Sequence, residues 1–243
     1  MPKDDKDAFP RVGDVLLVRG AGKKSSTIVG AQKVLYQRAR SSHVALCLGG
    51  GAFIHSTAAS GVHIEFFPAI LSESQSNWTV LRLKALDGAG REKLFSAANY
   101  FLEQGYNRGF MLPENATSSF CSEFAAKAYR QAGFEIISGK KPSQVFPADF
   151  DREADGSEEW LDVTDEYRSW LGRFEADTTL GIAEFKFLKS QIEHLKARAR
   201  GGEIMLRDAE KDFPSAGMKK AVTEIRDELE KHRKMRFWDE KRE

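Results

Sequence analysis

The sequence predicts an α+β fold, an antiparallel sheet packed against a helix, with a helical extension at the C-terminal end. Three observations predict it. Short β-type runs at residues 43–48, 52–56 and 62–67 follow one another, parted by glycine turns at Gly49-Gly50-Gly51 and Ser60-Gly61. One strong helix pattern covers residues 120–132 and stops at Gly133. From about residue 164 the chain turns charge-rich and helix-prone.

In chain order, residues 1–10 read as a flexible arm, acidic and without an apolar core. Val15-Leu16-Leu17-Val18, entered through a turn at Gly13-Asp14, reads as a buried strand. Residues 25–40 carry Ile28, Val29, Ala31, Val34 and Leu35 at helical spacing, with a Ser or Thr available as N-cap. After the three β-type runs, residues 78–83 alternate as a fourth strand, and residues 90–104 read as a helix ended by Gly105. Residues 106–119 read as a loop, and Pro142 and Pro147 punctuate a second one. Three helix-prone pieces follow, 166–200, 203–210 and 217–238, separated by Gly201-Gly202 and Phe213-Pro214. The expected organisation is an arm (1–10), a catalytic domain (11–164) and a helical extension (165–243).

The chain has 243 residues and a net charge of +1, so bulk electrostatics gives no reason to expect nucleic-acid binding. Two cysteines, Cys47 and Cys121, make no disulfide framework and fit a reducing compartment. No secretory leader and no apolar run of membrane-spanning length is present, so the expectation is a cytoplasmic protein, with signal-independent secretion left open. The Val222, Ile225 and Leu229 stripe is short for a coiled coil, and the C-terminal helices are candidates to dock a protein partner or self-associate. The basic cluster at 231–236 is interleaved with acids and is a weak membrane signal.

The chemistry gathers at His43, His55 and Cys121. A thiol, an imidazole and a polar group orienting that imidazole are what thiol-based acyl chemistry requires. Cys121 lies at the first turn of its helix, where unpaired N–H groups favour a thiolate. His43 opens one strand and His55 closes the next, so a hairpin brings both rings to one end. His63 and Glu65, on the following strand, are alternative third members or substrate contacts. Each residue also fits a plainer role, Cys121 as a small buried apolar side chain and the histidines as structural ones. Cys47, between Leu46 and Leu48, reads as core. CxxC, HExxH and finger spacings are absent, as are GxSxG and the phosphate-loop motif, so no metal, no cofactor, no serine hydrolase and no P-loop NTPase is expected.

These residues resemble the NlpC/P60 cysteine peptidases. The matching stretches are Gly13-Asp14-Val15-Leu16-Leu17, then His43-Val44-Ala45-Leu46 through Phe53-Ile54-His55-Ser56, then Gly61-Val62-His63-Ile64 and Phe120-Cys121-Ser122-Glu123-Phe124. The histidines precede the cysteine, which resembles the circularly permuted branch with its YiiX-like and LRAT-like members. Ser143 and Phe146-Pro147-Ala148-Asp149-Phe150 are similar to a motif that follows the helix in YiiX-like proteins. The resemblance covers residues 11–150 and implies a papain-like fold, Cys121 as nucleophile, His43 as base and His55 as the orienting residue. Phe120 and Glu123 replace the aspartate and glycine usual beside the cysteine in wall-cleaving members, which moves the expectation away from peptidoglycan. An amide or isopeptide in a peptide is the expected substrate. A lipid acyl substrate, for an acyltransferase, thioesterase or phospholipase, is the alternative, and an idle binding module the second. The Cys121 backbone N–H is the expected oxyanion donor. Tyr36 is a candidate second donor, and Glu123 a candidate substrate contact.

Overall fold

The computed structural model describes residues 10–109 and 116–232. The arm at residues 1–9 and the side chains of the basic cluster at 231–236 lie outside them, as does the side chain of Leu229 in the predicted stripe.

A six-stranded antiparallel sheet forms the centre, in the order β4-β3-β2-β1-β5-β8. Its strands are β1 (Val15–Gly20), β2 (His43–Gly49), β3 (Ala52–Thr57), β4 (Gly61–Phe66), β5 (Ser74–Leu83) and β8 (Trp160–Asp162). Side chains of a strand alternate between faces, and β1 is apolar on both because both faces are covered. Val15 and Leu17 join Val44, Leu46, Ile54 and Leu81 under the helices α3 (Gly88–Tyr100) and α4 (Cys121–Gln131). Leu16 and Val18 join Ala45, Cys47, Phe53 and Val80 under α2 (Phe67–Ser72) and α6 (Thr164–Ala176). Burying each Val, Leu, Ile or Phe side chain among these contributes about 1.5–3 kcal/mol before chain entropy is counted.

Helix α4 is anchored along most of its length. Phe124, Ala125, Ala128 and Tyr129 are fully buried, and the Tyr129 hydroxyl donates to the Gly13 carbonyl across the core. Its end is closed by a pair of bonds from Phe134 N–H to Tyr129 O and from Gly133 N–H to Arg130 O, with Gly133 at φ +91°. That is the pattern a left-handed glycine permits at a helix end.

Several elements differ from the sequence expectation. The first helix, α1 (Lys23–Gln32), stops eight residues early. Val34 is 89% exposed and Leu35 45%, so the last apolar positions find little to pack against. The proline-punctuated loop contains a helix, α5 (Pro147–Gly156), opened by Pro147 and by the Asp149 carboxylate accepting the Phe146 N–H. The loop at 106–119 is entered and left by a short parallel pair, β6 (Gly105–Tyr106) and β7 (Ser118–Ser119). Strand β8 has only three residues, too few for periodicity to register.

At the C-terminal end, α7 (Thr178–Asp212) runs unbroken through Gly201-Gly202. Ion pairs of Lys196 and Arg200 with Glu103, and of Arg226 from α8 (Ala216–His232) with Glu203, bracket the glycines. They offset the roughly 1 kcal/mol that each glycine costs a helix. Residues beyond 164 also enter the core: Tyr167 and Trp170 of α6 pack on the sheet, and Ile192 of α7 joins the α4 side.

Gly61, between β3 and β4, has φ +62°, and a Cβ there would come within 2.2 Å of the Gln104 carbonyl oxygen. Gly61→Ala is therefore expected to cost about 1–3 kcal/mol, as a forced backbone shift does. A denaturant midpoint unchanged by the substitution would contradict this.

Candidate active site

The site forms where β2 and β3 part. Their pairing runs from Gly49↔Ala52 to Leu46↔Ile54 and stops there. The Val44 N–H, two residues beyond, bonds to the Cys121 sulfur. The helix start therefore meets β2 at its open end, one residue from His43. It does not lie over the face that Ala45 and Cys47 share, which belongs to the opposite core.

Two clamps hold this end. Upstream of His43, the fully buried Asp151 carboxylate accepts from the Arg40 N–H (2.8 Å), the Ser41 N–H (2.9 Å) and the Ser41 hydroxyl (2.7 Å). Upstream of Cys121, the Ser56 hydroxyl donates to the Ser119 carbonyl at 2.6 Å, and Lys127 Nζ reaches Ser118 O and Ser119 Oγ. Glu123 completes the second clamp. It has no exposed surface, pairs with Lys127 at 3.0 Å, and accepts from Asn107 Nδ2 (2.9 Å) and the Phe120 N–H (3.2 Å). That placement leaves Glu123 no surface to offer a substrate.

Phe120, at the N-cap, has no side-chain oxygen. The N–H groups of the first turn, which a Ser or Asp cap would occupy, remain available, and those of Cys121 and Ser122 point at the sulfur. They do not win the protonation balance. Burial of Cys121, only 7% exposed, raises its pKa, and the N–H groups of Val44, Ser122 and Cys121 offset this in part. The expectation of a thiol pushed toward thiolate by its helix start is thus corrected: desolvation outweighs the helix end.

The histidines form a string. His43 Nε2 lies 2.7 Å from His55 Nδ1, His55 Nε2 lies 3.1 Å from His63 Nε2, and His63 Nδ1 lies 3.0 Å from the Gly61 carbonyl oxygen. His55 and His63 are direct cross-strand partners. Burial, and then His63, hold the His43 pKa down at about 4. Burial, then His43 and His63, hold His55 well below the ordinary histidine value. Among the described residues no group of three or more His, Cys, Asp or Glu side chains is arranged to hold a metal ion.

The remaining sequence candidates lie as follows. Glu65 Oε1 accepts the N–H of its neighbour Phe66 at 3.0 Å. The Tyr36 hydroxyl donates to Asp155 at 2.6 Å, and its ring carries Arg152. Cys47 is fully buried, and burial pushes its thiol up to about 12. Tyr106 was not legible in the sequence. Pairing of β6 with β7 sets it opposite Ser119, two residues before Cys121. Burial and the neighbouring Cys121 push its hydroxyl up to about 12. Asp151 was missed too, since its partners lie about 110 residues away.

Residues 10–151 match the model of a family described as permuted papain-like amidase enzyme, YaeF/YiiX, C92 family. A similar solved structure is that of the metalloprotein yiiX from Escherichia coli O157:H7, 15% identical, covering 63% of this chain and 88% of that one with a TM-score of 0.44. No curated protein matches the chain. No helix among the described residues is long and apolar enough to cross a membrane.

Proposed function

Because the chain belongs to the permuted papain-like amidase family, YaeF/YiiX, C92, we propose that it cleaves an amide or isopeptide bond with Cys121 as nucleophile, His43 as base and His55 as the residue that orients His43. The observation that carries this reading is the 2.7 Å contact between His43 and His55 at the strand end whose next N–H bonds the Cys121 sulfur. The reading is supported by two contacts at that strand end, His43 with His55 and the neighbouring Val44 N–H with the Cys121 sulfur, because a nucleophile, its base and an orienter have to be held close together.

Burial raises Cys121 and lowers His43. Both directions favour an uncharged thiol and imidazole at rest rather than a standing ion pair. His43 therefore takes the thiol proton as the sulfur attacks the carbonyl carbon. The oxygen that gains the electron pair is stabilised by the N–H groups of the uncapped helix start. The His43 proton then passes to the leaving nitrogen, the C–N bond breaks, and an amine leaves a thioester on Cys121. Water attacks that thioester, with His43 accepting its proton, and the acid is released as the thiol re-forms.

The test is a panel of peptide amides and isopeptides set beside lipid esters and thioesters. Release of an amine that Cys121→Ala abolishes supports the reading. Turnover confined to lipid esters or thioesters would replace it with the acyltransferase or phospholipase reading, and no turnover with an intact thiol would favour the binding module.

The protonation states make a further prediction. Activity requires neutral His43, so it is lost as pH falls through about 4, well under the ordinary histidine value of 6.5. The thiolate absorbance assigned to Cys121, taken as wild type minus Cys121→Ser, should be absent at pH 7. An acid limb near 6.5, or a thiolate signal at pH 7, would contradict the neutral pair.

A further inference from the structure

The inference rests on the reading of His43 as the base. We infer that His63, anchored on the Gly61 carbonyl, is a positioning residue that sets the tautomer of His43 through His55, and so keeps the His43 Nδ1 lone pair free for the thiol proton.

The outer end of the string fixes the protons of the inner rings. A carbonyl oxygen only accepts, so the 3.0 Å contact of His63 Nδ1 with Gly61 O places a proton on that nitrogen. A neutral His63 then has a bare Nε2. Across 3.1 Å, His55 Nε2 must be the donor. A neutral His55 is then bare at Nδ1, and across 2.7 Å His43 Nε2 must donate to it. His43 keeps its remaining nitrogen, Nδ1, as an unprotonated acceptor. With three neutral rings, no other arrangement avoids two protons or two lone pairs face to face. Burial favours the neutral form of both inner rings.

The anchor is rigid. The Val62 N–H donates to Gln104 O at 2.7 Å and the Glu103 N–H to Val62 O at 2.8 Å, tying the start of β4 to the segment after α3. The close approach of Gly61 to the Gln104 carbonyl excludes any side chain there. The acceptor that ends the string is thus a backbone oxygen fixed by its neighbours, and it requires no charge. A triad carboxylate orients its imidazole by charge as well as by accepting a proton. Here the direction of three hydrogen bonds does the orienting.

Without His63, His55 Nε2 loses the acceptor that dictates its tautomer. A fraction of His43 then carries its proton on Nδ1, where it cannot serve as base. The expected loss in Cys121 alkylation rate is about tenfold, the low end of what outer partners of an imidazole contribute.

The test uses the full chain labelled with ¹⁵N-histidine. In wild type, His43 should show a bare Nδ1 and a protonated Nε2. In His63→Ala, and in His63→Leu, which fills the space without accepting a proton, the two tautomers should mix and alkylation should slow. His63→Gln, whose amide oxygen can accept from His55, should restore both the spectrum and the rate. A His43 tautomer indifferent to His63→Ala and His63→Leu, or a wild-type His43 protonated on Nδ1, would overturn the inference. Alkylation that ignores His43→Ala while the tautomer pattern holds would instead remove the base reading and leave the hydrogen-bond string standing.

Discussion

Replacing Cys121 by alanine should remove catalysis, by on the order of 10³-fold or more, since a nucleophile and its base act as one unit. The same residue should dominate the thiol chemistry of the protein. At a low dose of alkylating agent, intact mass should report one modification, at Cys121, with Cys47 untouched. The contrast comes from their surroundings. Cys121 retains some exposure, adjoins an N–H-rich helix start and has His43 one residue from its Val44 contact. Cys47 is sealed between the sheet and α6, with its thiol pushed up to about 12 and no base beside it in the string. His43→Ala should slow Cys121 alkylation by about 10²-fold, the lower range of what a positioned base contributes. Equal labelling of both cysteines, or a rate that ignores His43, would defeat the assignment.

The largest expected stability loss is elsewhere, at Asp14. Its carboxylate is 1% exposed and accepts from Arg82 Nε (2.7 Å) and Nη2 (2.8 Å), the Tyr167 hydroxyl (2.8 Å) and the Arg11 N–H (3.1 Å). One side chain thus joins β1, β5 and α6. The carboxylates of Asp14 and Glu166 outweigh burial and hold the Arg82 guanidinium firmly charged. Asp14→Ala would leave that cation in a largely desolvated setting, 11% exposed, with only Glu166, which is itself partly exposed. Removing one member of such a pair costs about 3–5 kcal/mol. A chemical denaturation midpoint with an unchanged slope would measure it. Glu166→Gln, removing the exposed partner, should cost no more than about 1 kcal/mol. A loss of similar size for both variants would show that the network is not centred on Asp14.

Asp14 illustrates how far the sequence could be read. Gly13-Asp14 was legible as the turn into β1, because a glycine beside a short polar residue ahead of an apolar run is a local signal. The carboxylate's partners at 82 and 167 were not, because nothing local marks a hydrogen bond across 68 or 153 positions. The hairpin strands and the Cys121 helix were legible for the same reason as the turn: glycine punctuation and side-chain periodicity act over a few residues. Helix α5 and strand β8 escaped, one hidden behind a proline that opens a helix instead of breaking one, the other only three residues long. Gly201-Gly202 read as a break because glycine weakens a helix locally, and ion pairs from outside the segment reversed that.

The sequence by itself determined the antiparallel hairpins, the spacing of His43 and His55, and the helix that begins at Cys121. All of these follow from short-range stereochemistry and the identities of neighbouring residues. Only the tertiary structure decided what state those groups are in. Whether the thiol rests charged depends on the balance between desolvation and three converging N–H groups, one of them from Val44 on another element. Which nitrogen of His43 is free depends on a carbonyl two rings away, at Gly61. Whether Glu123 meets solvent or Lys127 depends on how α4 is buried. Burial and hydrogen-bond direction are properties of the packed molecule, set by contacts between residues that the chain order keeps apart.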